Sequence, residues 1–197
     1  MRTAVVLSGG IDSSAIAWWK KPDVAIFINY GQTPADAEES CARNVADRIG
    51  AEFSKISIDC KSIGSGSLAS RDALSIAPAK EWWPFRNQLL ITMAAARAVE
   101  LGVKKLYFGS VSTDKFHADG RPLFFQQISS LLQSQEGELI VDTPAIELRT
   151  EELVKISEIP KDLLLITHSC HISNFPCGVC EGCIKHLAVL RILGIEY

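Results

Sequence analysis

Residues able to do chemistry gather near the two ends of this chain. Near the start, Val5-Val6-Leu7 runs into Ser8-Gly9-Gly10-Ile11-Asp12-Ser13-Ser14, and a helical pattern from Ala15 to Lys20 leaves it. A glycine-rich turn between strand and helix suits a phosphate group. Glycine lets the backbone approach an anion with no Cβ in the way. The free N–H groups and the positive end of the helix then face the negative charge. Asp12 is placed to help hold a magnesium ion, and Ser8 and Ser13 to donate hydrogen bonds. No Gly-Lys-Ser/Thr follows, so this is not a Walker A loop. The plainer alternative is an ordinary turn with an Asp/Ser helix cap. The full six-residue string, set directly after the first strand, favours phosphate.

Near the other end, Cys170, Cys177, Cys180 and Cys183 form C-x6-C-x2-C-x2-C. Four thiolates close a tetrahedral shell about zinc, and two-residue spacers let neighbouring cysteines reach one ion. Gly178 and Gly182 permit the tight turns between them. An Fe–S cluster takes the same four ligands, so the spacing leaves the metal open. His168 and His171 flank Cys170, but four cysteines suffice and both histidines are read as non-ligands. The expected role is structural, a staple holding the tail Ile184 to Leu193 against the main body. Cys41 and Cys60 stand alone, and Cys41 reads as a small buried hydrophobe on a helix face.

The elements that position these groups follow a simple rhythm. Thr3–Leu7, Val24–Asn29, Phe53–Ile58, Lys104–Gly109 and Leu139–Val141 read as five buried strands. Between them, Ala35–Ile49, Gln88–Leu101 and Pro122–Leu132 have helical spacing, and Thr150 is placed to cap a helix running to Ser157. In the helix from Ala35, the apolar face is read as Ala37, Cys41, Val45 and Ile49. Alternating strand and helix predict an α/β fold, a five-stranded parallel sheet wound on both faces in the Rossmann manner. Ser110 to Asp114 then sits at the carboxyl end of a strand, where ligands bind in such sheets. Residues 59–83 break the rhythm and are read as a flap over the ligand, with a disordered loop as the alternative. The aromatic run Trp82-Trp83-Pro84-Phe85 lines a pocket or packs the entry to the next helix.

The 197 residues make one domain, 1–197, with the metal-binding segment 169–184 inside it. Hydrophobic content of 47% and charged content of 22% suit a soluble globular chain. A net charge of −3 gives no general field for nucleic acid. Gly9, Gly10 and Asp12 interrupt the first apolar run, against a signal peptide. No stretch reaches the roughly 18 apolar residues of a membrane span. A cytoplasmic location is expected, where clustered cysteines bind metal rather than pair.

The string Ser8 to Ser13 resembles the pyrophosphate loop of the N-type ATP pyrophosphatases, the PP-loop superfamily. The resemblance implies ATP, with magnesium, bound at Leu7, Ser8, Gly9, Gly10, Ile11, Asp12, Ser13 and Ser14, and cleavage between the α- and β-phosphates. With the cysteine cluster, the chain resembles the 7-cyano-7-deazaguanine synthase family nearly end to end. Tyr30-Gly31-Gln32, Ser67-Leu68, Phe85-Arg86-Asn87, Gly109 with Asp114, Asp119 with Arg121-Pro122, and Thr167-x-Ser-Cys170 carry that resemblance. It implies an ATP-dependent ligase converting 7-carboxy-7-deazaguanine and ammonia, through an amide, to a nitrile for queuosine biosynthesis. It implies a homodimer with one zinc per chain. Asp12, Arg86 and Asp114 are the expected catalytic contacts. Tyr30, Gln32, Phe85, Arg86, Asn87 and Asp114 are the expected contacts to the deazaguanine. Arg86 and Asp114 each also have a structural alternative, an Arg–carboxylate bond holding the aromatic turn.

The chain departs from the family pattern in three places. Asn29 replaces the Asp before Tyr-Gly-Gln. Phe116-His117-Ala118-Asp119-Gly120-Arg121 stands for the family's Gly-Tyr-Pro-Asp-Cys-Arg, with a one-residue deletion. Thr150 stands where a Lys begins the helix after the fifth strand. These departures bear on the acceptor side and leave the pyrophosphate loop alone. They open a second reading, a relative that attaches a deazaguanine to a protein or nucleic acid in antiphage defence. A rival of another class is a catalytically dead nucleotide sensor or zinc-knuckle binding module, against which the intact Ser8–Ser13 string argues.

Overall fold

The computed structural model describes residues 1–195. Five strands form one sheet in the order β3-β2-β1-β4-β5. They are β1 (Thr3–Val6), β2 (Val24–Asn29), β3 (Glu52–Ser57), β4 (Lys105–Tyr107) and β5 (Ile140–Asp142). Every neighbouring pair is parallel, with Val5 opposite Ala25 on one side and Tyr107 on the other. Parallel pairing requires crossover helices, which cover both faces, so β2 can read as an unbroken apolar run. Val24 to Ile28 are all buried.

The period of two in each strand divides the core. Ala4, Val6, Ile26, Ile28 and Leu106 face one layer, which contains α3 (Arg86–Glu100) and α4 (Pro122–Gln133). Val5, Leu7, Ala25 and Phe27 face the other, which contains α1 (Ile11–Lys20), α2 (Ala35–Ile49), α5 (Thr150–Ser157) and α7 (Glu181–Ile192). A short α6 (Lys161–Leu165) joins the last two and buries Leu163 and Leu164. The order reverses at β1, whose two neighbours are β2 and β4. The loops leaving β1 and β4 therefore face each other across the topological switch point, where open α/β sheets bind ligands.

The elements differ from the sequence reading in several places. The first helix starts at Ile11, directly on the glycine loop, and α3 starts at Arg86. In α2 the buried face is Ala35, Ala42, Val45 and Ala46. Cys41 lies at its margin, half-buried, with its thiol donating to Ile166 O at 2.6 Å. Thr150 does not cap α5: Arg149 holds that place, and its N–H donates to Glu152 Oε2 at 2.8 Å. Thr150 is the first helical residue and is buried. The segment 59–83 contains two short 3-10 turns, Lys61–Ile63 and Ser67–Ala69. Its end is packing: Trp83 is buried edge-on to Tyr30, ring centres 5.0 Å apart, while Phe85 is 71% exposed. Among the described residues, no helix is long and apolar enough to cross a membrane.

Candidate active site

The two glycines of the loop do different work. Gly9 has φ +79°, and a Cβ there would stand 2.4 Å from Glu38 O and 3.0 Å from Cys41 Cβ. Its bareness lets the loop lie against α2. Its carbonyl accepts from His168 N at 3.0 Å. Gly10 precedes α1 with an ordinary φ of −79°. A Cβ on it would meet nothing nearer than 3.6 Å, and it lines the cavity described below. Gly10 is therefore the residue that keeps the backbone open to an anion. Ser13 Oγ accepts from Ser8 N at 3.2 Å, lies 3.0 Å from Ser8 Oγ, and donates to Gly10 O at 3.2 Å. These bonds curl the turn on itself, and Gly10 N also donates to Ser8 Oγ at 3.4 Å. Ser14 is fully buried behind the loop and does not reach the cavity.

A cavity of about 480 Å³ opens over the switch point, a size usual for small-molecule sites. Leu7, Ser8, Gly10, Ile11, Asp12 and Ser13 form its floor. Tyr30 and Gln32 enter from the exit of β2, Arg86 and Asn87 from the start of α3, and Asp114 from the segment after β4. Thr150 enters from α5, and Leu68 and Glu81 from the segment that the sequence marked as a flap. Phe85 is not part of the wall. Nor is Asn29, whose Oδ1 accepts from Gly31 N at 3.0 Å. Asn29 therefore braces the turn between Tyr30 and Gln32 and does not face the cavity.

Burial pushes the Asp12 carboxyl up; nearby Lys185 opposes that, and Asp114 adds to it. Asp12 Oδ1 is buried with no hydrogen-bond partner. Thr150 faces it closely enough to favour the charged form, yet its hydroxyl also lacks a completed hydrogen bond. An orphaned carboxylate oxygen beside a phosphate-type loop fits a magnesium ion arriving with a nucleotide. Gln32 is buried, accepts from Tyr30 N at 2.9 Å and donates to Glu38 Oε2 at 2.8 Å. Burial raises Glu38 to about 7 despite that bond. Burial likewise keeps the Tyr30 phenol protonated, with Arg86 working the other way. Asn87 N and Nδ2 donate to Asp119 Oδ2 at 3.3 Å and Asp119 O at 2.9 Å. That pair ties the segment 116–120 to the start of α3.

Several cavity residues carry no sequence signature. Glu38 is one. Glu81 is another, with His117 Nε2 3.6 Å from its Oε1 and Glu181 close enough that its own carboxyl is raised. Lys185 is a third, its Nζ 3.5 Å from Asp12 Oδ2 and 3.7 Å from Asp114 Oδ1. No local pattern marks these residues, because each reaches the cavity from an element distant in sequence. Only the two-residue step from Cys183 to Lys185 hints that the knuckle approaches the site.

The four cysteines converge as expected. Their Sγ atoms all lie within 4.8 Å of one another. Cys177 and Cys183 are 3.8 Å apart, and Cys180 and Cys170 are 4.0 Å apart. Zn–S bonds of about 2.3 Å in a tetrahedron give S–S edges of about 3.8 Å, so the set fits zinc. The N–H groups of Val179 and Cys180 bring Cys177 down to about 6, toward the thiolate that a metal needs. Cys180 caps α7, its Sγ accepting from Cys183 N at 3.4 Å. His168 Nε2 instead lies 2.9 Å from Ser173 O.

Comparison with known proteins agrees with this geometry. The family model described as queuosine biosynthesis protein QueC matches residues 2–193. The 7-cyano-7-deazaguanine synthase of Methanospirillum hungatei is 31% identical, over 100% of this chain and 97% of its own length. That of Acidobacterium capsulatum is 32% identical, over 94% and 90%. Among solved structures, an NMN synthetase from Francisella tularensis superposes with a TM-score of 0.52 at 14% identity, covering 100% of this chain and 78% of the other. That likeness concerns the fold alone. The chain's relatives share its whole length, its pyrophosphate-type loop stands at the switch point, and the chain belongs to the QueC family of queuosine biosynthesis proteins.

Proposed function

We propose that this chain is an ATP-dependent C–N ligase that converts 7-carboxy-7-deazaguanine to 7-cyano-7-deazaguanine. Its relatives' names support the product. The observation that carries the chemistry is the meeting of Asp12 and the Ser8–Ser13 loop with Arg86 and Asp114 around one cavity. In this reading the loop N–H groups hold the β- and γ-phosphates, and Asp12 shares the magnesium that accompanies ATP. A substrate carboxylate oxygen attacks the α-phosphorus, the α–β bridging P–O bond breaks, and pyrophosphate leaves. Ammonia then attacks the acyl carbon, and AMP departs with the electron pair of the C–O bond. A second round of ATP activates the amide oxygen, and loss of that oxygen on AMP with two amide protons leaves the nitrile. No side chain becomes covalent; positioning and charge stabilisation supply the rate.

Arg86 then contacts phosphate or carboxylate, and Asp114 accepts from the amine edge of the base. The four cysteines hold one structural zinc per chain, and the assembly is a homodimer. The test supplies protein with ATP, magnesium, the carboxylate and ammonium, and follows nucleotides and nitrile. AMP, pyrophosphate and nitrile are expected. ADP and phosphate as the only nucleotide products overturn the adenylation. AMP without nitrile, unless a protein or nucleic-acid amine is added, indicates a macromolecular acceptor instead. Nucleotide binding with no turnover indicates a sensing module.

A further inference from the structure

The cavity is poor in permanent positive charge for the anions this reading brings into it. Its wall carries six acids: Asp12, Glu38, Glu81, Asp114, Asp119 and Glu181. Among the described residues, only two arginine or lysine side chains stand against them, Arg86 and Lys185. Arg86 lies near Tyr30 and Glu38. Lys185 lies at the loop, between Asp12 and Asp114. Neither contact is tight: at 3.5 and 3.7 Å, the ammonium is shared between two carboxylates and committed to neither. Its side chain keeps 45% of its surface open and lines the cavity. The ammonium therefore retains donors for a ligand, since –NH3+ carries three.

Its placement follows from the cysteine knuckle. Cys180 caps α7, Cys183 lies in the first turn, and Lys185 follows two residues later. Gly182 has no room for a side chain, because a Cβ there would stand 1.9 Å from Ser169 O. The knuckle thus clamps the start of α7 and fixes where Lys185 emerges. Thr150 approaches the same Asp12 carboxylate from α5, with a hydroxyl that completes no hydrogen bond. A longer basic side chain at position 150 would address the same point.

We propose that Lys185 binds an anionic oxygen of the reacting pair, moving from its shared place between Asp12 and Asp114 onto the substrate carboxylate or the α-phosphoryl group. This rests on the adenylating reading above. Asp12 and Asp114 alone would repel both anions. Lys185 cancels that repulsion where the two must meet, and the cysteine knuckle becomes the positioning element for a substrate-binding cation.

The test compares wild-type protein with Lys185→Met and with the double variant Thr150→Lys/Lys185→Met. Zinc content and thermal midpoint report folding. Equilibrium titration then uses the carboxylate, the neutral nitrile and magnesium-ATP separately, followed by kcat. Lys185→Met is expected to keep its metal and to bind the nitrile within about twofold of wild type. Loss of a charged hydrogen bond weakens the carboxylate, or ATP, by about tenfold or more. The arm that weakens identifies the anion. The kcat falls by about a hundredfold, and the added lysine at position 150 restores at least about tenfold of it. Unchanged affinities and kcat in Lys185→Met overturn the proposal alone. Wild-type protein that binds neither deazaguanine overturns it together with the reading on which it rests.

Discussion

Gly9 lies against the backbone of α2 so closely that a Cβ on it would stand 2.4 Å from the carbonyl oxygen of Glu38. This contact sets the height of the pyrophosphate-type loop above the sheet. Its neighbour Gly10 has room for a Cβ, which would make only ordinary contacts at 3.6 Å with His168 O and Ser8 Oγ. Gly9→Ala is therefore expected to cost stability, by about 2 kcal/mol or more, from a left-handed φ and a backbone collision. Gly10→Ala is expected to leave the thermal midpoint nearly unchanged and to weaken ATP, since only the ligand's approach is obstructed. Thermal unfolding and ATP titration on both variants check this. Equal stability of the two would show that the contact with α2 is not what Gly9 provides.

The metal centre makes a separate prediction. Purified protein should hold about one zinc per chain, because a closed shell of four thiolates binds one ion. Cys177→Ser removes the ligand held at about 6 by the Val179 and Cys180 N–H groups. Metal affinity should drop, and the knuckle should loosen with it, since binding energy at such sites is folding energy. Elemental analysis and protease sensitivity near residues 170–183 are the measurements. Intact wild-type protein with four freely titrating thiols and no metal would refute the assignment.

Much of this architecture was legible in the sequence, and the reason is local. The apolar run Val24–Ile28 and the string Ser8–Ser13 carry their structure within a few residues, so five parallel strands and a strand–loop–helix followed directly. The cysteines were legible because spacing alone limits which thiols can meet. What stayed hidden depends on tertiary approach. Thr150 looked like a cap because its hydroxyl type suits one, but the chain places it one residue inside α5, facing Asp12. Phe85 looked like pocket lining, yet its backbone turns at φ 55° and leaves the ring exposed. Lys185 has no partner in its own stretch of sequence. Asp12 and Asp114 come to it from elements more than 70 residues away, and only the fold brings the three together.

Asp12 should matter for turnover far more than for folding. One carboxylate oxygen is buried and unpartnered, and the other has a long contact to Lys185. Such a group contributes little to the empty fold and is costly to keep charged. Asp12→Asn is expected to hold or slightly raise the thermal midpoint while lowering kcat/KM by about a hundredfold or more. Nucleotide turnover and calorimetry on the same preparation separate the two effects. A variant that loses activity only in proportion to the fraction unfolded would reduce Asp12 to a structural residue.

Glu38 gives the pH dependence its sign. Its carboxyl sits near 7 in the folded chain, raised from 4.5 mainly by burial. Between those values the folded state keeps a proton that the unfolded chain has already lost. The Glu38 contribution to stability is therefore fully present below about 4.5, is lost as pH rises through this window, and levels off above about 7. The shift corresponds to at most about 3 kcal/mol. Glu38→Gln keeps an acceptor for Gln32 Nε2, now 2.8 Å from the carboxylate, and carries no charge. The variant should match wild type near pH 4.5 and exceed it near pH 8, by up to roughly 10 °C in thermal midpoint. Paired melting curves across that range decide it. If wild type and variant run parallel from pH 4.5 to 8, the buried carboxyl is not the group that titrates.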